Sequence, residues 1–335
     1  MIHKLKIFLF ILSFAGLSSC FKKDEMVLPH PRGDVRTDTI GMTERYRYQL
    51  YFDLDSGRVV KFNERTDTDL GFDCDLRGWR IILNTADFMK AADLGMVPFG
   101  QPQDTTGANW KFDKSDGNPD SLAIGQWFSV VEGDTLSNHH VYILNRGIDT
   151  VGVSLGIFQI IFDSLKNGIY YFRYSPLAGG NVISAAVSKE SGMNFIHYSL
   201  RSGGIVNPVE PSRNAYELFF TQYTTLLFTD EGAAYPYLVT GVLINPYRVD
   251  VSLDTLDAFV DINLDKALQM NFTRSADAIG YDWKYYNFDN GIYTVRAGLS
   301  YVIRNQQGFY FKLRFIGFYN RNGEKGYPVI EYQML

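Results

Sequence analysis

Short runs in which apolar and polar residues alternate follow one another along most of the chain. Two clear examples are GIYTVRAGLSYV (Gly291–Val302) and GFYFKLRF (Gly308–Phe315). A period of two places successive side chains on opposite faces of a β-strand, so these runs predict strands. Asn-Gly dipeptides, as at Asn167-Gly168 and Asn290-Gly291, tolerate positive φ and are typical of hairpin turns. We find no long stretch with helical spacing beyond Arg45, and the pattern predicts an all-β protein of antiparallel strands, with few or no long helices in the mature chain.

The same pattern occurs twice. The stretch YFDLDSGRVV (Tyr51–Val60) returns as HYSLRSGGIV (His197–Val206), with Leu, Ser, Gly and Val at identical spacing. Three further pairs of segments follow in the same order: FDCDLRGWRIIL with YELFFTQYTTLL, YILNRGIDTV with YNFDNGIYTV, and IYYFRY with YFKLRF. Four matched segments in one order predict a tandem duplication, with one β unit over residues 46–190 and a second over residues 192–335.

The first residues have the pattern of a lipoprotein signal peptide. Lys4 and Lys6 precede an apolar run, residues 7–17, that is too short to span a bilayer. Leu17-Ser18-Ser19-Cys20 follows, and it looks like the site at which a signal peptide, residues 1–19, is removed before a cysteine that carries diacylglycerol. Cys20 is therefore the predicted lipidation site. An ordinary signal peptide that happens to contain a cysteine is the alternative.

Residues 20–45 are polar and contain Pro29 and Pro31, which predicts a flexible tether. Within it, Lys23-Asp24-Glu25 resembles the export tag that sends some lipoproteins to the outer face of the outer membrane. A lipid anchor at Cys20 would hold a folded body that stays in water. We therefore expect an outer-membrane lipoprotein at the cell surface.

Composition and charge exclude some partners. The net charge is -5 and no block of Lys or Arg stands out, which argues against nucleic acid as a partner. Cys74 is the only cysteine left once Cys20 is lipidated, so the sequence predicts no intramolecular disulfide and a stability that depends on burial. The 25 Phe and 22 Tyr suit side-chain packing across pleated strands, which supports the all-β interpretation.

Several of these strands resemble the HmuY-type haem-binding lipoproteins. The likeness rests on the opening YFDLDSGRVV, on the aromatic–acid pair Tyr216-Glu217, on the strand Tyr310–Tyr319, and on GEKGYP at Gly323–Pro328. In the first unit Phe72-Asp73 stands in for the aromatic–acid pair. The resemblance implies an all-β fold that holds haem between two axial side chains. It also implies a protein that passes haem or porphyrin to a TonB-dependent outer-membrane receptor, and so takes part in iron acquisition.

The resemblance also directs attention to candidate haem ligands. Haem iron accepts His or Met as axial ligands. The family's second ligand precedes the strand that begins near Tyr142, and there this chain has His139 and His140. Met193 and Met270 are the thioether candidates, and a packing role is their alternative. For the two histidines, the alternative is a solvent-facing pair at the end of a loop.

Parts of the sequence fit functions other than haem capture. Gly152-Val153-Ser154-Leu155-Gly156 fits the G-x-S-x-G nucleophile elbow, but no helical pattern follows it, so we expect no catalytic residues and no enzyme. Trp110, Trp127 and Tyr285 lie in polar surroundings and are candidates for a glycan platform. An adhesion or assembly module that keeps the fold without haem is the remaining alternative, and we expect no protein-bound metal ion.

Overall fold

Alternating side chains build antiparallel strands throughout the computed structural model, which describes residues 33–131, 134–206 and 209–335. The first eleven strands are β1 (Arg36–Thr39), β2 (Tyr48–Asp53), β3 (Arg58–Glu64), β4 (Leu70–Asp73), β5 (Ile81–Leu83), β6 (Lys90–Asp93), β7 (Phe128–Val131), β8 (Asp134–Ser137), β9 (Val141–Asn145), β10 (Ile157–Lys166) and β11 (Ile169–Pro176). The next eleven are β12 (Ile183–Ser188), β13 (Phe195–Ser199), β14 (Gly204–Ile205), β15 (Leu218–Phe228), β16 (Ala234–Ile244), β17 (Asp250–Asp254), β18 (Lys284–Asn287), β19 (Ile292–Val295), β20 (Ser300–Arg304), β21 (Tyr310–Tyr319) and β22 (Lys325–Met334).

Helical structure is minor. One short helix, α1 (Leu264–Ala267), and four single turns of 3₁₀ helix, at Arg65–Asp67, Thr85–Asp87, Pro119–Ser121 and Phe259–Asp261, are found in the described ranges. The prediction of an all-β fold without long helices is confirmed. The Asn167-Gly168 dipeptide forms the turn between β10 and β11 with both residues at positive φ, 52° and 74°. No helix in the described part of the chain has the length and apolarity needed to cross a bilayer.

The first of two similar modules, module 1, consists of the sheets β12-β11-β10-β9-β6 and β14-β13-β4-β5. Apolar side chains from both sheets form one core, in which Phe72 stacks on Phe172 with ring centroids 5.0 Å apart. Trp127 lies in this core at 2 % exposure, beside Tyr170. The hairpin β7–β8 stands outside both sheets.

Module 2 has the same form. It consists of the sheets β1-β22-β21-β20-β17 and β16-β15-β2-β3, with the hairpin β18–β19 outside them. Its core includes Phe52, Trp283 and Phe315, and the rings of the last two are stacked at 3.9 Å. Residues 33–335 as a whole form one compact unit.

The leading strands of the two halves lie in each other's modules. Hairpin β2–β3, early in the chain, pairs with β15 in module 2, where Phe52 is opposite Leu218. Hairpin β13–β14 pairs with β4 in module 1, where Tyr198 is opposite Leu70. The strands β1–β3 thus complete module 2, and β12–β14 complete module 1. Such an exchange is compatible with a duplicated unit, although the duplication and its boundaries at 46–190 and 192–335 stay a prediction.

The folded body begins earlier than the predicted boundary at residue 46. Strand β1 lies inside the segment predicted as a tether and pairs with β22, Thr39 opposite Val329. Ile40 and Met42, which follow β1, have no exposed surface and belong to the core of module 2. The predicted signal peptide and Cys20 lie outside the described residues.

Candidate functional site

The two candidate histidines lie in the turn between β8 and β9. His139 has a positive φ of 55°, which is uncommon for a residue with a Cβ. Its backbone N–H donates to Oγ of Ser137 at 2.9 Å, and that hydroxyl donates to the carbonyl of Phe162 at 2.5 Å. The turn is therefore fixed at its base by β8 and β10, and it presents His139 to solvent.

His140 is held by a carboxylate. Its Nδ1 lies 2.9 Å from Oδ2 of Asp93, the last residue of β6, and both side chains are about a third exposed or more. This contact favours the tautomer with the proton on Nδ1. The described residues offer no hydrogen-bond partner to Nε2, which is therefore available to a ligand. A carboxylate that orients an imidazole in this way is the usual outer partner of a metal-binding histidine.

A methionine that the sequence analysis did not select lies beside this turn. Backbone hydrogen bonds connect Leu94 to Val141 and Val141 to Gly95, each at 2.9 Å, and so bring the loop after β6 against His140. Met96 follows Gly95 and is 80 % exposed. The sequence signal was Asp93-Leu94-Gly95-Met96, because Gly95 has a positive φ of 70° that turns the loop outward.

Met193 and Met270 have packing environments. Met193 packs against the core of module 1. Met270 packs in a small separate cluster with Ile262, Ala267 and Val302. The two methionines thus belong to different clusters. Their ligand roles stay a prediction, as do those of His139 and His140.

The aromatic residues considered for glycan binding differ in environment. Trp127 is buried in the core, with its indole N–H donating to the carbonyl of Trp79 at 3.1 Å. Trp110 is partly exposed, and the ammonium group of Lys90 lies 5.0 Å from its ring centroid. Tyr285 is 42 % exposed on β18. These three rings belong to separate elements, and no ring contact joins them in the described part of the chain.

Acidic and metal-ligating groups do not converge elsewhere. Within residues 33–131, 134–206 and 209–335, no three His, Cys, Asp or Glu side chains are placed so that they could hold a metal ion. Asp69 and Asp73, in the acidic stretch after β3, pair with Arg146 and Arg80, each at 2.6 Å. Cys74 is a buried free thiol whose pKa is raised by burial.

These features define an all-β protein, and the comparison with known families specifies its family. The model of the HmuY protein family matches residues 45–332 of this chain. The chain therefore belongs to the HmuY family, a family of binding proteins of the haem-binding lipoprotein type. No curated protein matches it.

Solved structures also resemble this chain at low sequence identity. One is apo PinO from Porphyromonas gingivitis, at 10 % identity, with 90 % of this chain and 98 % of that chain covered and a TM-score of 0.30. Another is the apo HmuY analog of Tannerella forsythia, at 10 % identity, with 91 % and 98 % covered and a TM-score of 0.26. At these TM-scores the likeness carries no further conclusion about this chain.

Proposed function

We propose that this protein is a surface-exposed, lipid-anchored, non-enzymatic protein that captures haem or a porphyrin for uptake by an outer-membrane receptor of the TonB-dependent type. Membership of the HmuY family supports the class of ligand. The single observation that supports particular ligand residues is the hydrogen bond between Nδ1 of His140 and Oδ2 of Asp93, 2.9 Å long, at an exposed turn. Lipidation at Cys20 would supply the anchor.

The residues at the turn fit a haem iron chemically. A neutral imidazole is a good axial ligand, and with Nδ1–H donating a hydrogen bond to Asp93 the lone pair of Nε2 would be left to bind iron. A thioether is the other common partner, and Met96 supplies one on the neighbouring loop. His139 is a second nitrogen donor one residue away. Apolar contact with a porphyrin face would come from Met96 and from Leu136, which is 47 % exposed on β8.

The test is a titration with haemin of the chain that starts at Asp24, which contains the whole compact unit of residues 33–335. We expect a sharpened, red-shifted Soret band at one equivalent. His140→Ala should remove the shift. Asp93→Asn should keep the spectrum but weaken affinity by about 10-fold to 100-fold, because the imidazole loses its orienting carboxylate. Met96→Leu compared with Met193→Leu is a matched pair, and only the first should change the band.

An unchanged free-haemin spectrum with the wild-type chain would contradict the proposal. The same holds if the shift survives when both His139 and His140 are replaced by Ala. In either case the alternative gains support, namely an adhesion, assembly or glycan-binding module that keeps the HmuY fold without haem.

A further inference from the structure

The two modules enclose a cavity between the outer faces of their central sheets. It has a volume of about 180 Å³ and lies where β5 and β13 of module 1 face β2, β15 and β16 of module 2. Most of its wall is apolar and comes from both modules: Ile82, Leu83, Phe195, Phe219, Leu243 and Ile244. None of these residues belongs to the histidine turn, so a ligand could occupy this cavity whether or not haem binds at that turn.

One end of the wall is a polar network that is already satisfied. Glu210 is 4 % exposed, and its Oε1 accepts from Oη of Tyr216 and from Nδ2 of Asn194, both at 2.7 Å. Its Oε2 lies 3.3 Å from Nε2 of His197. Three of the roughly four acceptor positions of the buried carboxylate are therefore occupied, and the carboxylate holds Tyr216 and His197 in place.

Tyr51 is different, because within residues 33–131, 134–206 and 209–335 its hydroxyl has no hydrogen-bond partner. The residue is 3 % exposed, and its ring stacks on Phe219 with centroids 4.3 Å apart and meets Tyr216 edge-on at 4.9 Å. The ring lines the cavity, yet its hydroxyl makes no hydrogen bond to a described residue. Burial, and then the nearby carboxylate of Glu210, raise the pKa of Tyr51, so the hydroxyl stays protonated. The hydroxyl is therefore a polar group of the cavity wall that can donate to or accept from an occupant.

The cavity lies beside a cleft on the surface. Lys114, Ser115 and Leu122 line both the cavity and a larger, open cleft of about 630 Å³ on the surface. The cleft lies between the loop at residues 110–122 and the hairpin β15–β16, which contributes Thr225 and Leu226. The cavity and the open cleft therefore share part of their wall.

We propose that this cavity binds a small molecule with a single aromatic ring and one hydroxyl group, in the size class of phenol and cresol. The size follows from the volume, since a cavity of about 150 Å³ lined by Leu, Ile and Phe is known to admit a benzene ring. The hydroxyl follows from Tyr51, which can donate to it or accept from it.

The test uses two fluorinated probes that differ in their polar group, p-fluorophenol and p-fluorotoluene, observed by ¹⁹F NMR with the chain that starts at Asp24. The wild-type protein should bind both probes, and the phenol more tightly. Tyr51→Phe removes only the hydroxyl, so it should weaken the phenol by about 5-fold to 10-fold and change the toluene by less than about 2-fold.

A second pair of variants tests the place of binding. Leu243→Phe should fill the cavity and abolish binding of both probes, whereas Leu253→Phe makes the same substitution at an exposed position of β17 and should leave both unchanged. If Leu243→Phe does not fold, as judged by circular dichroism, the Tyr51→Phe comparison decides alone. The proposal is overturned if the wild type binds neither probe. It is also overturned if Tyr51→Phe weakens both probes equally, or if a folded Leu243→Phe variant still binds them.

Discussion

Hairpin β2–β3 and hairpin β13–β14 are equivalent in the two modules, and the turn of each donates a backbone hydrogen bond to a buried acidic side chain. The acid is a glutamate in one module and an aspartate in the other. In module 2 the N–H of Leu54 donates to Oε2 of Glu217 at 2.8 Å. In module 1 the N–H of Leu200 donates to Oδ2 of Asp69 at 2.7 Å. The backbone hydrogen bonds of the two acids are also equivalent. The N–H of Glu217 donates to the carbonyl of Phe52, and the N–H of Asp69 donates to the carbonyl of Tyr198. Each turn is thus anchored by an acid from the other half of the chain.

The electrostatic environment of these two acids is what differs. Asp69 pairs with Arg146, with Nε and Oδ1 2.6 Å apart, and both side chains are buried. Glu217 is equally buried, but no Lys, Arg or His forms an ion pair with it in the described part of the chain. Burial raises the pKa of Glu217 to about 8, with a further contribution from the carboxylates of Asp53 and Asp55, while the hydrogen bond from Leu54 opposes the shift. One anchor therefore depends on a counter-charge and the other on a proton.

The largest expected effect comes from breaking the charged anchor. Asp69→Ala leaves the amide of Leu200 unpaired and leaves Arg146 buried without its counter-charge, so it should lower the free energy of unfolding by about 3–5 kcal/mol. Glu217→Ala removes one hydrogen bond and strands no charge, so it should cost only about 1–2 kcal/mol. Urea unfolding at pH 7, followed by circular dichroism, measures both.

A control separates the charge from the hydrogen bond. Arg146→Met in the Asp69→Ala background removes the stranded cation and should recover part of the lost stability. Equal destabilisation by Asp69→Ala and Glu217→Ala would contradict the interpretation that the two anchors differ in charge.

The next effect is a difference in pH dependence. In the unfolded chain Glu217 loses its proton near its ordinary pKa of 4.5. In the folded chain it loses the proton only near pH 8, because its pKa is raised to about 8. Between these values the native state holds the extra proton, so stability should fall as the pH rises, by roughly 1.4 kcal/mol per pH unit at most. Glu217→Gln keeps an acceptor for Leu54 without the charge. It should therefore match the wild type near pH 5 and exceed it near pH 8.

The measurement is the free energy of unfolding of both proteins from pH 5 to pH 9, taken as a difference so that other titrating groups cancel. Asp69→Asn is the matched variant in module 1, and it should be less stable than the wild type across this range because Arg146 loses its partner. Parallel profiles for the wild type and Glu217→Gln would show that Glu217 is ionised in the fold.

The alternating pattern was enough to predict the fold class, but not the strand register. The matched segments equate Phe72 with Tyr216, at an offset of 144 residues, whereas the strand pairing equates Leu70 with Leu218, at an offset of 148. Side chains alternate with a period of two, so a slip by four residues leaves every residue on the same face. The exchange of hairpins between the modules could not be predicted from the sequence either. A hairpin can pair with the equivalent strand of either half of the chain, and its own sequence does not say which.

Only part of the candidate site could be selected from the sequence, because the rest depends on strand pairing. His139 and His140 were selected from their position before β9, which depends on local sequence. Asp93 and Met96 were not selected, because they reach the turn only through the pairing of β6 with β9. The cavity beside Tyr51 needs side chains from both modules, and no local pattern marks a space that two outer sheet faces enclose.

The smallest effect concerns a glycine in each of the two turns. Gly57 and Gly203 have φ of 67° and 71°, so replacement by Ala costs about 1–2 kcal/mol at either position. An added Cβ at Gly57 would overlap Oη of Tyr332, whereas at Gly203 it would lie 3.3 Å from Oη of Tyr174. Because Tyr332 would have to give up its 2.7 Å hydrogen bond to Asp38, Gly57→Ala should be the worse variant by about 1 kcal/mol. Thermal unfolding of both variants measures the difference, and Tyr332→Phe should reduce it. Equal costs at the two glycines would mean that the tyrosine moves aside freely, and that module 2 is no more tightly packed at its turn than module 1.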